Sequence, residues 1–221
     1  MPDYAEQQAA LRRAGVTARP ADLDRGHYLG IRAWDVAAAT SDAGWRAYAA
    51  ALAGAAGAGP AVLEAATDAL LEVFATSAIW RRRRDDPAAA LRALRSAGLA
   101  VIVVSNSDGT VEAALRTAAI CQVGPGPGVE VAAVLDSSVV GAAKPDPRIF
   151  GLALAAAGVA AREALHVGDS VRADVEGARV AGVRPVHFDP YAICRGRDHA
   201  HVRSLAGLAD LLGRGGPTGS S

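Results

Sequence analysis

Ala100-Val101-Ile102-Val103-Val104-Ser105-Asn106-Ser107-Asp108-Gly109 changes character halfway along. Ala100 to Val104 is wholly apolar and β-branched, the pattern of a strand buried on both faces of a parallel sheet. From Ser105 the chain turns to Ser, Asn and Asp, residue types that suit turns and helix starts. Ser105 thus leaves a buried strand where its hydroxyl and the adjacent backbone N–H groups can hold an anion. Taken alone, a helix cap at Ser107 or Asp108 explains the same residues.

The flanking sequence repeats the alternation. Pro87 to Ala97 reads as a helix stopped by Gly98, and Asp108 to Ala118 as another. Val129 to Leu135 is a strand, and Pro147 to Ala157 a helix ending at Gly158. Ala164 to Val167, Val171 to Ala181, Val183 to Phe188 and Leu205 to Leu212 continue as strand, helix, strand, helix. Such an order predicts an α/β fold, a parallel sheet with helices on both faces. Right-handed crossovers place every strand C-terminus on one edge, where ligands bind in sheets of this kind.

The first eighty residues differ. No β-branched alternating run occurs before residue 99. Tyr4 to Ala14 is a short amphipathic helix closed by Gly15. Thr40-Ser41-Asp42 offers caps before Trp45, Tyr48 and Leu52, and Pro60 suits a first helical position before Val62, Leu63 and Leu70. The organisation expected is a helical part over 1–80, an α/β core over 81–212 and a loose tail over 213–221. Arg81 to Arg84 with Asp85 and Asp86 reads as a solvated joint.

Composition narrows the function. Lys+Arg and Asp+Glu are 23 each, so neither a nucleic-acid footprint nor a polybasic membrane anchor is indicated. The apolar run Leu99 to Val104 is too short to span a bilayer, and Met1 to Glu6 has no signal-peptide pattern. Cys121 and Cys194 share no motif spacing and read as free thiols in a reducing cytoplasm.

Lys144 is the one lysine; the other basic residues are arginine. A compact ammonium with three rotatable donors approaches a phosphoryl oxygen in a way a planar guanidinium does not. Lys144 sits in Gly141-Ala142-Ala143-Lys144-Pro145-Asp146-Pro147. Pro145 disfavours helix at Lys144 and Pro147 can open the next helix, which fixes the lysine on a rigid loop. In Leu165-His166-Val167-Gly168-Asp169-Ser170-Val171-Arg172-Ala173-Asp174, Asp169 follows a strand directly and Asp174 falls in the next helical turn. Two carboxylates at a strand end suit a hard cation such as Mg²⁺. A helix cap and a first-turn acid would also account for them.

Together the three segments resemble the haloacid dehalogenase superfamily. Val104 to Gly109 looks like its second motif and Gly141 to Phe150 its third. Gly168-Asp169-Ser170 through Asp174, with Gly177-Ala178-Arg179, Ala181-Gly182 and Asp189-Pro190, looks like its fourth. The resemblance implies a three-layer Rossmann-like core, a helical C1-type cap over 1–80, and Mg²⁺-dependent hydrolysis of a small-molecule phosphate ester. It implies that Ser105 and Asn106 contact the phosphoryl group and that Lys144 neutralises its charge. Asp169 would bind Mg²⁺, with Asp174 ligating it or orienting its waters.

The superfamily's first motif, an apolar strand followed by Asp-x-Asp-x-Thr, has no counterpart here. Its first Asp is the nucleophile and its second the general acid. Asp22-Leu23-Asp24 has the spacing, but Ala18-Arg19-Pro20-Ala21 before it is no strand. The resemblance puts that strand centrally, between those ending at Ser105 and Asp169. Its loss would leave a slot about 10 Å wide at roughly 4.8 Å per strand spacing. A late start or a shortened gene is therefore expected over evolutionary loss, and the 221-residue chain is expected to be inactive. Two alternatives stay open: a metal-free dehalogenase-type hydrolase and a non-catalytic relic or interaction protein. A Schiff-base hydrolase with a cap lysine is excluded by the lysine count. Cys194, Asp198, His199 and His201 read as a polar loop, and His27, Tyr28, Arg32 and Trp34 as packing residues.

Overall fold

The computed structural model describes residues 2–37, 41–75, 82, 86–196 and 198–213. Thr40, Arg81, Arg83 to Asp85 and the tail from 214 lie outside them. The chain divides into two units. The first is Met1–Arg84 with Asp169–Val171 and Tyr191–Arg195; the second is Asp85–Gly168, Arg172–Pro190 and Gly196–Ser221.

The first unit is helical: α1 (Tyr4–Arg13), α2 (Pro20–Ala37), α3 (Ser41–Ala55) and α4 (Leu63–Phe74). Asp3 caps α1 by accepting from Ala5 N, and Gly15 follows it at φ +77°. α4 begins three residues after Pro60, so the proline lies in the preceding turn rather than at a first helical position. Leu11, Leu23, Leu52 and Leu70 are fully buried, with Trp34, Trp45, Tyr48 and Phe74 packed about them edge to face. α2 and α3 approach closely because Gly30 carries no side chain; a methyl there would lie 2.6 Å from the Tyr48 ring. Tyr48 hydroxyl meets His27 Nδ1 at 2.6 Å. Burial pushes the His27 imidazole down to about 3, so its nitrogen accepts from the phenol.

His27 and Tyr28 are both buried in this unit, as packing residues. Asp22 and Asp24 lie on α2, not after a strand. Asp22 pairs at the surface with Arg19 (2.7 Å). Asp24 accepts from Tyr4 (3.0 Å) and Tyr191 (2.8 Å) and pairs with Arg82. The Arg82 guanidinium also stacks 3.6 Å above the Tyr4 ring. Arg82 is therefore not part of a solvated joint: Asp24 and the Tyr4 ring hold it half-buried.

The second unit opens with α5 (Pro87–Ser96) and continues β1 (Ile102–Ser105), α6 (Val111–Thr117), β2 (Cys121–Val123), β3 (Val129–Val131), β4 (Ala133–Asp136), α7 (Ser137–Val140), α8 (Pro147–Ala157), β5 (Leu165–Gly168), a π-helical turn (Val171–Glu176), α9 (Gly177–Val180), β6 (Arg184–Phe188), β7 (Ala200–Val202) and α10 (Leu205–Gly213). All pairings are parallel: β1 with β4, β2 with β3, and β5-β6-β7. α6 begins at Val111, not Asp108, because Gly109 at φ +95° breaks the helix before it.

Alternation along β1 sends Val101 and Val103 to a cluster with Leu91 of α5, and Val104 to one with Ile149 and Phe150 of α8. Leu165 and Val167 of β5 pack with Leu94 of α5, while His166 points the other way, edge-on to Phe150 at 5.0 Å. Helices α5 and α8 thus cover opposite faces of both strand groups, giving the three layers expected of an α/β fold. Among the described residues β1 and β5 do not pair with each other, and each has one edge without a strand. Both strands are consequently half-buried along their whole length, where the sequence pattern indicated full burial.

Candidate active site

The strand ends of β1, β4 and β5 carry the polar residues. Ser105 ends β1 in register with Asp136, the last residue of β4. The buried Asp136 carboxylate accepts from Ser138 N (3.1 Å), Ser138 Oγ (3.0 Å), Gly109 N (2.9 Å) and Val111 N (3.4 Å). It therefore caps α7 and fixes the turn after β1 at once. Ser107 N donates to Ser137 Oγ (3.1 Å), tying the same two loops. Sequence reasoning did not single out Asp136; an acid directly after the apolar Ala133-Val134-Leu135 was the available signal.

Asn106 uses its side-chain amide as a peptide group. Its Nδ2 donates to Lys144 O at 2.9 Å and its Oδ1 accepts from Lys144 N at 2.8 Å. The loop that bears the lysine is thus held to the end of β1 by a two-point clamp. On its other side Asp146 caps α8 by accepting from Arg148 N, with Pro147 at the first helical position, as the spacing predicts.

From this anchored backbone Lys144 Nζ reaches Asp174 Oδ1 at 2.7 Å. His166 Nε2 meets the same oxygen at 2.8 Å. A carboxylate only accepts, so Nε2 carries the proton. The Asp174 side chain is 4% exposed and that of Lys144 12%. Burial alone would raise the Asp174 carboxyl; the His166 hydrogen bond and the Lys144 charge more than offset it and hold it well below the usual carboxylate range. His166 was not among the sequence candidates. Its alternation with apolar Leu165 and Val167 is what turns it toward Asp174.

Two glycines make the arrangement possible. A methyl on Gly168 would sit 2.1 Å from Asp174 Cγ, and one on Gly177 would sit 2.9 Å from both Pro145 Cα and the Phe150 ring. Asp174 itself lies in the π-helical turn, a wider coil that often marks functional positions. Asp169 follows β5 immediately. In the helical unit the adjoining turn is held by Asp35, which accepts from Ser170 Oγ (2.6 Å) and Val171 N (2.7 Å). The second unit therefore brings together Ser105, Asn106, Lys144 and Asp174 of the sequence candidates, with His166 and Asp136 added.

Phosphoserine phosphatase of Thermus thermophilus is 41% identical over 117 residues, covering 51% of this chain and 45% of that protein. The chain spans about half the length of the curated relatives it matches. Among solved structures, a HAD phosphatase from Thermococcus onnurineus is 27% identical over 60% of this chain and 59% of its own, with a TM-score of 0.50. The HAD-hydrolase YfnB from Bacillus subtilis, bound to magnesium, covers 96% of this chain and 93% of its own at 18% identity and a TM-score of 0.58, a likeness of fold. The sequence pattern of haloacid dehalogenase-like hydrolases matches residues 4–182. That match runs through the helical residues and the strand-end cluster alike, and the chain belongs to the haloacid dehalogenase-like hydrolase family.

Proposed function

We propose that the protein is a Mg²⁺-dependent phosphatase acting on a small-molecule phosphate monoester. The observation that carries this reading is the Lys144–Asp174 pair, buried at 2.7 Å and anchored through Asn106 to the end of β1. A buried, fixed cation at a strand end is the device that phosphoryl transfer needs, since its barrier falls mainly through positioning and charge stabilisation. Relatives named as phosphatases support the same reaction class.

In this reading Ser105 donates its hydroxyl to a phosphoryl oxygen and Asn106 holds the lysine loop beside it. Lys144 offsets the negative charge of the phosphoryl group. Asp169 and Asp174 offer carboxylate oxygens only, a donor set that fits Mg²⁺. Asp174 Oδ1 already accepts two donors, which fills its lone pairs, so Asp174 would act through its other oxygen or on metal-bound waters. When bound, the ion supplies further neutralisation of the phosphoryl oxygens. Residues 1–80 serve as the cap that selects substrate, 81–212 as the core and 213–221 as a tail. The nucleophilic aspartate comes from a strand that pairs with the open edges of β1 and β5, and the 221-residue chain is inactive without it. The two free cysteines fit a cytoplasmic setting.

The test is hydrolysis of a generic aryl phosphate. A chain extended upstream to include an Asp-x-Asp-x-Thr strand should turn over with Mg²⁺ and stop with EDTA. Lys144→Ala and Asp169→Ala should each lower kcat by about 10² or more. Activity that persists in EDTA would overturn the metal-dependent reading in favour of a metal-free hydrolase. Activity of the 221-residue chain alone would overturn the assignment of the nucleophile to an added strand.

A further inference from the structure

β6 and β7 run parallel, and their register sets His187 directly opposite His201. Residues opposite one another on neighbouring strands face the same side, and so do residues two apart on one strand. His199 lies just before β7, two residues from His201, and its ring comes to the same side. The rings have converged accordingly. Their centroids lie 5.4 Å (His187–His199), 5.2 Å (His187–His201) and 4.5 Å (His199–His201) apart. His187 is 6% exposed and the His199 ring 2%, while His201 lies at the surface. The ligand nitrogens of the three lie within 4.8 Å of one another.

The spacing suits a metal better than a hydrogen bond. His187 Nδ1 and His199 Nε2 stand 3.4 Å apart, beyond the usual 2.7–3.2 Å range for a hydrogen bond to nitrogen. Two imidazole nitrogens on one tetrahedral zinc, each at about 2.0–2.1 Å, stand roughly 3.3–3.4 Å apart. The outer nitrogen of His199 is also taken: Nδ1 meets Asp198 Oδ1 at 2.9 Å, and Asp198 is held in turn by Arg179 at 2.7 Å. A proton fixed on Nδ1 makes Nε2, the nitrogen that faces His187, the basic one, which is how a carboxylate behind the ring orients a ligating histidine.

We propose that His187, His199 and His201 bind a divalent transition-metal ion of the zinc type, with Asp198 as a positioning residue. Three imidazoles are a borderline donor set that prefers zinc or cobalt to magnesium. The ion clamps β7, a three-residue strand at the edge of its sheet, to β6. Neither the strand-end lysine nor the carboxylates Asp169 and Asp174 take part.

The 221-residue protein, stripped with EDTA and returned to buffer with excess Mg²⁺, is titrated with Co²⁺ and then Zn²⁺. One equivalent of Co²⁺ should give the intense visible absorption of a low-coordinate nitrogen site, and Zn²⁺ should displace it and raise the Tm. His201→Gln, a surface change, should weaken binding by about tenfold or more, and Asp198→Asn by about 10–100-fold. The proposal fails if the parent takes up neither ion more tightly than about 1 mM. It fails equally if His201→Gln binds as tightly as the parent. Should His187→Gln not fold, the His201 variant still decides the matter.

Discussion

The position a methyl group on Gly168 would occupy lies 2.1 Å from Asp174 Cγ, so the backbone at the end of β5 is pressed flat against the buried carboxylate. Nothing larger than hydrogen fits between the strand and the residue that pairs with Lys144. Gly168→Ala should therefore push Asp174 off its two donors and destabilise the fold by about 1–3 kcal/mol. Gly151→Ala is the control. It sits on α8 with nothing within 4 Å of the added methyl, and should stabilise by about 0.5–1 kcal/mol through helix propensity. Urea denaturation of the two variants checks the contrast.

Asp174→Asn leaves Lys144 buried without its charge partner and should cost about 3–5 kcal/mol at neutral pH. The folded carboxyl titrates below its unfolded value, so its stabilisation is fully present above about pH 4 and is lost as the pH falls further. The variant should flatten the stability curve below pH 4 relative to the parent, as measured by denaturant midpoints across that range.

His27 governs a different window. Its folded value near 3 lies below the ordinary histidine value near 6.5, so the unfolded chain takes up a proton the folded one refuses. Stability should then fall as pH drops from about 6.5 toward 3, by about 2 kcal/mol at pH 5. His27→Gln should lose this slope while keeping the fall below pH 4 that belongs to Asp174. Thermal melts between pH 7 and 5 separate the two.

Asn106→Ala removes both hydrogen bonds to the Lys144 backbone and should cost about 1–2 kcal/mol. In a chain with phosphatase activity it should lower kcat while Lys144 is still present, because the ammonium is less well fixed. Asn106→Asp keeps the acceptor for Lys144 N but loses the donor, and should fall between.

What could be read from the sequence divides along a physical line. β5 and β6, and the start of α8 at Pro147 and its end at Gly158, follow from local chemistry, and each stands within a residue or so of its expected place. β2 and β7, three residues each, carry no period of their own and are strands only through their partners. The lysine loop, with its two prolines, was legible; the Asn106 clamp was not, because side-chain bonding across 38 residues leaves no local trace. His187 and His201 become neighbours only through strand register, which a sequence does not print. Arg82 looked like a solvent-facing charge because its partner Asp24 lies 58 residues away.

The arginine-for-lysine bias of the chain has a chemical use. Lys144 carries its one ε-amine, so an acylating reagent at moderately alkaline pH meets a single side-chain target besides the α-amino group. Paired with Asp174 and 12% exposed, that amine reacts slowly; released, it reacts as an open lysine does. The rate of its modification is thus a built-in gauge of whether the ion pair is closed, readable by mass spectrometry on the unaltered protein.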